Sequence, residues 1–219
     1  MQMDDQTFRI YRKNPVKFIR EVLGVQLRDY QIKSLALLDE HYIHTWARQT
    51  GKNYSIYASS IWKAIFYPGT KILIGTKFEH IRHHQNELYE IIAKIKNLIP
   101  YEFKFFKQSD TILCQCINGS SILISNKIRA HTEYDYIFYN YEMRLPHDIE
   151  IAVNLPEKPI VHIFDLENEI GLRLPRQVVT WKDVQGRDVE WAKCMLEQLG
   201  PTVFKREFLA TEKDIRDLS

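Results

Sequence analysis

The sequence predicts an α/β domain in which a mostly parallel sheet is flanked by helices and carries an inserted β-hairpin. Short apolar runs with strand character alternate with longer segments whose apolar residues recur every three or four positions. One Asn118-Gly119 pair between two apolar runs breaks this alternation, and such a pair favours a tight hairpin turn. With 219 residues, of which 45% are hydrophobic and 26% charged, the chain is long and apolar enough to bury a sizeable core.

The amino-terminal region is predicted to be helical. Residues 8–24 have an amphipathic pattern, and a second helical pattern covers residues 27–40. Residues 42–47 then take strand character, and after a polar turn the mostly apolar helical pattern of residues 54–67 ends at Pro68-Gly69. This order predicts a strand, a loop and a helix.

The middle of the chain repeats the alternation. A compact apolar strand at 71–75 precedes a long helical pattern at 77–98, and the hairpin joins 111–117 to 121–125. Three further strands are predicted at 136–139, 160–164 and 177–181. A helix is predicted near 146–153, between the first two of these strands. Strands that alternate with helices are typical of a parallel sheet.

The carboxyl-terminal region is predicted to be helical again. A helix over 188–199 is stopped by Gly200-Pro201, and a last helix begins near Thr202. The sequence contains no repeat and no linker composition. We therefore predict an amino-terminal helical segment over 1–40, an α/β core over 41–182 and a carboxyl-terminal helical segment over 183–219.

Composition excludes several classes of protein. The 30 Lys and Arg residues nearly balance the 28 Asp and Glu residues, so bulk charge alone does not indicate a nucleic-acid or membrane partner. Cys114, Cys116 and Cys194 lack the spacing of metal ligands. No apolar stretch reaches eighteen residues, and the polar, acidic amino end does not look like a secretory signal. We expect a soluble protein with reduced thiols and no membrane partner.

The most informative motif, Arg48-Gln-Thr-Gly-Lys-Asn53, lies between the first predicted strand and its helix. Its Gly51-Lys52 pair is suited to hold a phosphate by backbone N–H groups and a helix N-terminus, with the lysine reaching the outer oxygens. However, Trp46 replaces the first glycine of the usual loop, and Asn53 stands where Ser or Thr would hold Mg²⁺. The local pattern leaves two alternatives, a phosphate loop or an ordinary turn.

Five segments in a fixed order favour the phosphate loop. They are Leu27-Arg-Asp-Tyr-Gln31, Ala47-Arg-Gln-Thr-Gly-Lys52, Asn118-Gly-Ser-Ser-Ile122, Trp181-Lys-Asp-Val-Gln-Gly-Arg-Asp188 with Trp191, and Phe204-Lys-Arg-Glu-Phe208. Together they resemble the ATPase domain of the large terminase subunit, the DNA-packaging motor of tailed double-stranded DNA phages. The resemblance covers residues 14–210 and implies a RecA-like P-loop NTPase fold, with residues 41–182 as the P-loop NTPase-like core.

The resemblance also implies roles for individual residues. Lys52 would bind the β and γ phosphates, Arg48 would stabilise the transferred phosphoryl group as a catalytic residue, and Gln31 would contact the adenine. The rest of the expected nucleotide-binding set is Gln49, Thr50, Gly51 and Asn53. The alternative roles are those of a surface lysine, a helix-capping arginine and a solvated glutamine.

The positions that would handle metal and water depart from the family pattern. An acidic pair is expected after the strand that follows the hairpin, but Asn140 and Tyr141 stand there. A neutral amide and a phenol with a reference pKa of about 10 do not supply a carboxylate's charge at neutral pH. Glu142 and Asp165 are the candidate replacement acids. If Glu142 is the catalytic acid, however, Tyr141 stands at the neighbouring metal-binding position. Asp165 ends a strand, and an Asp there is more often a turn residue.

A second departure from the family pattern concerns the motif that couples hydrolysis to motion. Ile163-Phe-Asp-Leu166 lacks the Thr or Ser residues of the family's coupling motif.

His80 and His84 have the i, i+4 spacing of metal ligands, but no glutamate lies between them as in a metalloprotease helix. We predict a solvated polar helix face there and no metal site.

These departures predict a catalytically impaired relative, a pseudo-ATPase that acts by binding nucleotide, protein or DNA. ATP is the expected ligand, and Mg²⁺ is not expected to bind in the usual way. Expected partners are a portal, a small terminase subunit, a motor ATPase or double-stranded DNA, in the host cytoplasm. The alternatives are an active packaging motor that uses substitute carboxylates and a helicase-like P-loop enzyme. Because the sequence ends at Ser219, where large terminases continue into a nuclease domain, no DNA cleavage is expected.

Overall fold

The computed structural model describes residues 3–108, 110–127, 133–140, 149, 152–155, 159–165 and 172–218, with only the backbone of Asp165. Its helices are α1 (Asp5–Lys13), α2 (Pro15–Glu21), α3 (Asp29–Ala36), α4 (Lys52–Phe66), α5 (Ile81–Ile95), α6 (Val189–Phe208) and α7 (Glu212–Leu218). Helix α6 is kinked at the predicted stop, where Gly200 has a non-helical φ of 78° and ψ of 161°. Its strands are β1 (Tyr42–Trp46), β2 (Lys71–Gly75), β3 (Phe103–Lys107), β4 (Thr111–Cys116), β5 (Ser121–Ser125), β6 (Tyr136–Asn140), β7 (Ile160–Asp165) and β8 (Arg176–Val179). The predicted mixed α/β class is confirmed.

The strands of the described residues form one sheet in the order β3-β4-β5-β2-β6-β7-β1-β8. The six strands from β5 to β8 in this order are parallel, and the β3-β4-β5 pairs are antiparallel. Because parallel strands end at the same edge of a sheet, the segments that follow β1, β2 and β6 meet there. This topology places the loop that follows β1 at the same edge of the sheet as Asn140, the last residue of β6, with β7 between the two strands.

The predicted helix over 8–24 is wrong in one respect, because the structure contains two helices there. Pro15 is the first residue of α2, and the Asn14 side chain caps that helix by accepting a hydrogen bond from the Lys17 N–H at 2.9 Å. Proline has no N–H with which to continue the preceding helix, but it fits the first turn of a new one. The chain therefore changes direction at Asn14.

Strand β3 was not predicted. It pairs antiparallel with β4 at the edge of the sheet, with Phe105 opposite Cys114. Its sequence is Phe-Lys-Phe-Phe-Lys, in which only Phe103 and Phe105 are partly buried, and only pairing with β4 makes one face of this short segment part of the fold. The long helix predicted at 77–98 begins later, at Ile81, after a single 3₁₀ turn at Phe78–His80. The helix predicted near 146–153 lies mostly outside the described residues.

In the described part of the chain, the buried apolar residues form one large core and two smaller clusters. Phe18 and Ile19 of α2 are fully buried in the same cluster as Trp46 of β1 and the apolar face of α4. The carboxyl-terminal helices have their own cluster around Trp181, Phe204 and Phe208. The boundaries of the three predicted segments stay predictions. None of the helices in the described part of the chain combines the length and apolar composition that crossing a bilayer requires.

Two buried histidines lie side by side on neighbouring strands β1 and β7. The Nε2 atom of His44 is 3.0 Å from Nδ1 of His162, whose Nε2 is 3.2 Å from the Leu38 carbonyl oxygen. A carbonyl only accepts, so His162 Nε2 donates to it, and His162 Nδ1 accepts from His44. Burial holds the pKa of His44 well below its usual value and lowers the pKa of His162 to about 4. Both rings are neutral at pH 7.

We expect acid to destabilise the protein through this pair. Unfolded histidine has a pKa of about 6.5, so between pH 6.5 and 4 the unfolded chain binds protons that the folded chain does not. The free energy of unfolding should therefore fall by up to about 1.4 kcal/mol per pH unit for each histidine. Urea unfolding at pH 7, 6, 5 and 4.5 measures this slope.

A His44→Phe/His162→Phe double variant is the comparison, because His44 already stacks on Phe164 with ring centroids 4.3 Å apart and His162 stacks on Phe138. Its unfolding free energy should depend less on pH. If the unfolding free energies of the wild type and the double variant depend equally on pH, the acid destabilisation does not come from this histidine pair.

Candidate functional site

A cavity of about 790 Å³ opens at the carboxyl edge of the sheet. Four parts of the fold line it: the loop after β1 with the start of α4, the segment from β2 into α5, the end of β6, and the end of α6. Its lining residues are Arg48, Gln49, Gly51, Lys52, Asn53, Tyr54, Lys77, His80, His83, His84, Glu87, Asn140, Arg206 and Glu207. Of the predicted nucleotide-binding residues, all except Thr50 and Gln31 thus line the same cavity as Asn140.

The loop after β1 has two residues in the left-handed backbone region, Gln49 at φ 58° and Gly51 at φ 83°. Gly51 directly precedes α4, and a β-carbon there would lie 2.8 Å from Nε2 of Gln31. Buried Thr50 donates from its hydroxyl to the Ala47 carbonyl at 2.8 Å. The chain therefore turns sharply enough to place Lys52 at the first position of α4.

We expect Gly51→Ala to destabilise the protein by more than the left-handed backbone alone explains. That backbone costs a non-glycine residue about 1–2 kcal/mol, and the contact with Gln31 adds to it. Gly69→Ala is the matched control, since Gly69 has φ 79° with nothing within 4 Å of an added β-carbon. Denaturant unfolding compares them, and equal losses would show that Gln31 yields without cost.

Gln31 lies behind the loop. Its Oε1 accepts from the Arg28 N–H at 2.9 Å, and its Nε2 donates to the Ser55 hydroxyl at 3.3 Å. Its neighbour Tyr30 donates to the carbonyl of Thr50 at 2.9 Å. This segment supports the loop from the side of the core, and contact of Gln31 with adenine stays a prediction.

Two asparagines occupy the positions where Mg²⁺ ligands were expected. Asn140 Nδ2 donates to Asn53 Oδ1 at 3.4 Å, so the two neutral amides bind each other. Mg²⁺ prefers carboxylates and an octahedron of oxygen ligands, and an amide oxygen engaged as an acceptor is a poor substitute. In the described residues, no group of three or more His, Cys, Asp or Glu side chains is placed to hold a metal ion. These donors do not fit an ordinary Mg²⁺ site.

The candidate replacement acids cannot be placed as side chains. Tyr141 and Glu142 lie outside the described residues, and only the backbone of Asp165 is described, at the end of β7. Strand β7 lies between β1 and β6, so the end of β7 is at the same edge as the cavity. Roles for Glu142 and Asp165 stay predictions.

The histidines of α5 differ in environment. His84 is buried, with Nδ1 2.7 Å from the Tyr57 hydroxyl and Nε2 3.0 Å from the Thr76 hydroxyl. Burial lowers the pKa of His84 to about 4, so the ring is neutral at pH 7. The predicted solvated face is therefore wrong for His84, whereas His83 is exposed at the cavity.

Four charged residues of the cavity were missed by sequence reasoning: Lys77, Glu87, Arg206 and Glu207. Lys77 comes two residues after β2, so the rule that parallel strands end at one edge would have found it. Glu87 lies seven residues after His80, which is the same face of a helix, but nothing local marks that face as part of a site. Arg206 and Glu207 lie within a quoted motif, although the motif does not indicate their position.

The carboxyl-terminal segment holds the backbone of the loop at Arg48. The Arg48 N–H donates to the carbonyl of Glu207 at 2.7 Å, and Arg187 Nη2 donates to the carbonyl of Arg48 at 2.7 Å. The Arg187 guanidinium packs on the ring of Trp191, 4.8 Å from its centroid. Both backbone hydrogen-bonding groups of Arg48 thus contact residues from the end of the chain.

The charges of the cavity favour an anion. Four cationic side chains, Arg48, Lys52, Lys77 and Arg206, line it together with two carboxylates, Glu87 and Glu207. Cations gathered in one cleft attract and concentrate negatively charged ligands. The N-terminus of α4, a helix of 15 residues, adds the partial positive charge of its first amides.

No family model matches the sequence, and no curated protein matches it. Solved structures do match. The large terminase ATPase domain of Thermus phage P74-26 superimposes with a TM-score of 0.67 at 13% identity, covering 89% of this chain and 97% of that chain. An arginine-to-alanine variant of that domain gives a TM-score of 0.69 at the same identity and coverage.

This chain has the fold of a phage large-terminase ATPase domain. The large terminase of a thermophilic bacteriophage in complex with ADP also matches the terminase-type fold, with a TM-score of 0.59 and 11% identity over 85% of this chain. That match covers 53% of the phage protein, so this chain spans about half the length of that terminase. The RecA-like fold predicted from the sequence is confirmed.

Proposed function

We propose that this chain is a terminase-type domain, related to viral DNA packaging, that binds ATP and hydrolyses it slowly or not at all. One observation carries the proposal. Asn53 and Asn140 hydrogen-bond to each other where a metal-binding hydroxyl and carboxylate would be needed, while the cations of the phosphate loop are kept.

The cavity supports binding of a nucleotide. Its volume of about 790 Å³ is typical of small-molecule sites. Gly51 caps α4 without a side chain, which leaves the amides of the first turn accessible to a phosphate, and Lys52 and Arg48 line the same cavity. A structural neighbour, the thermophilic phage terminase, was solved with ADP.

Hydrolysis requires more than this cradle. Phosphoryl transfer needs charge neutralisation between the β and γ oxygens and a group that orients the attacking water. A single missing electrostatic stabiliser commonly costs about 10²–10³ in rate. In this chain Arg48 and Lys52 would bind and orient the phosphates, and Asn140 would offer one neutral amide where the pattern requires a carboxylate.

Calorimetric titration with a non-hydrolysable ATP analogue, with Mg²⁺ and with EDTA, tests the proposal together with a turnover assay. We expect binding that is similar in both buffers, and no turnover above background. An absence of binding in both buffers, or turnover that requires Mg²⁺, would contradict the proposal.

One observation favours a second candidate, an active packaging-motor ATPase with a substitute acid. Glu87 is a carboxylate that lines the cavity together with Lys52 and Asn140. If turnover is found, a Glu87→Gln variant should lose it while keeping its affinity for the analogue. Loss of affinity as well would instead assign Glu87 to binding.

The partners belong to the same proposal. We propose that the domain acts in the host cytoplasm with phage packaging components, namely a portal, a small terminase subunit or a motor ATPase, or with double-stranded DNA. The support is that the matching domains come from phage large terminases.

A further inference from the structure

We infer that the Glu207 carboxylate occupies the place of a ligand phosphate between Arg48 and Arg206, and that a bound nucleotide must displace it. The inference rests on the proposed function and adds a residue that determines the affinity of the site. Glu207 is then a built-in competitor for the anion-binding arginines.

The contacts of Glu207 resemble those of a bound anion. Its Oε2 lies 3.4 Å from Arg48 Nη1, and its Oε1 lies 3.0 Å from Arg206 Nη2. The carboxylate side chain is only 11% exposed, whereas the arginine side chains are 60% and 57% exposed. Two exposed arginine side chains thus contact one shielded carboxylate at the cavity.

The position of this carboxylate is set by the fold. The carbonyl of Glu207 accepts from the Arg48 N–H, so the backbone of Glu207 stays beside the loop. Its neighbour Phe208 is 1% exposed and packs against Trp191, with ring centroids 5.2 Å apart. The main chain is therefore anchored, and release of the arginines needs only rotation of the glutamate side chain.

Competition follows from the charges. An arginine paired with Glu207 is not available to a phosphate, so the observed affinity is reduced by the fraction of molecules in which the pair is formed. A triphosphate compensates for this, because it brings several negative charges and the same cavity also offers Lys52 and Lys77.

A Glu207→Gln variant tests the inference, because it removes the charge and keeps the size and the backbone carbonyl. We expect about tenfold tighter binding of both inorganic triphosphate and a non-hydrolysable ATP analogue by calorimetry. Glu212→Gln is the matched control: Glu212 is an exposed carboxylate that pairs with Lys205 and does not line the cavity. The Glu212→Gln variant should bind both ligands with the affinity of the wild type.

The outcomes separate the two claims. If the wild type binds the analogue and Glu207→Gln binds it equally or more weakly, the inference is wrong and the proposed function stands. If neither protein binds triphosphate or the analogue, both are wrong. A gain that Glu212→Gln shares would reduce the effect to bulk charge and also overturn the inference.

Discussion

A Lys52→Ala variant should bind a non-hydrolysable ATP analogue at least about 100-fold more weakly than the wild type. Lys52 is the first residue of α4 and lines the cavity beside Arg48 and Gly51. Its ammonium group is expected to donate to two phosphate oxygens, and each charge-assisted hydrogen bond contributes about 1.5–3 kcal/mol. Titration calorimetry measures the loss.

Lys71→Ala is the control for this variant. Lys71 is an exposed lysine at the amino end of β2, which is the opposite edge of the sheet from the cavity. Its removal changes the net charge equally and should leave the affinity unchanged. Equal effects of the two substitutions would mean that the loop does not hold the phosphates.

An Asn53→Ser/Asn140→Asp double variant should acquire Mg²⁺-dependent nucleotide binding. The substitutions break the amide pair and place a hydroxyl and a carboxylate at the two positions, which are ligands that Mg²⁺ accepts. We expect its affinity for the ATP analogue to rise about tenfold when Mg²⁺ replaces EDTA. The wild type should show no such difference.

Asn86→Asp provides the comparison for the double variant, since Asn86 is exposed on α5 and does not line the cavity. It adds the same charge without a metal ligand. A double variant that remains indifferent to Mg²⁺ would show that the amide pair is not what prevents metal binding.

The elements that the sequence predicted well have strong local signals. The apolar run at 71–75 is observed as β2, Lys71–Gly75, because its buried residues contact the core on both faces of the sheet. The Asn118-Gly119 turn joins β4 to β5, with Gly119 at φ 89°. Where local signals conflicted, as at Asn14-Pro15 and in β3, the prediction was incomplete.

For the candidate site, too, the sequence indicated some residues and not others. Arg48, Gly51 and Lys52 lie within one short segment, and a glycine and a lysine between a strand and a helix are suited to hold a phosphate. The order of five segments along the chain was needed to favour a phosphate loop over an ordinary turn. Asn140 was named because the resemblance places an acidic pair after the strand predicted at 136–139, and in the structure Asn140 is the last residue of β6.

Only the tertiary structure decided what surrounds this loop. Glu207, Arg206 and Glu87 come from helices far from residue 48 in the chain, and they reach the cavity because the parallel strands end together and α6 returns across that edge. The local sequence determined which segment is suited to hold a phosphate, because backbone turns and helix starts depend on neighbouring residues. The charges that face that segment are set by packing between elements that are distant in the sequence. Because the hydrophobic effect that drives this packing is not directional, no short stretch of sequence shows which charges will meet.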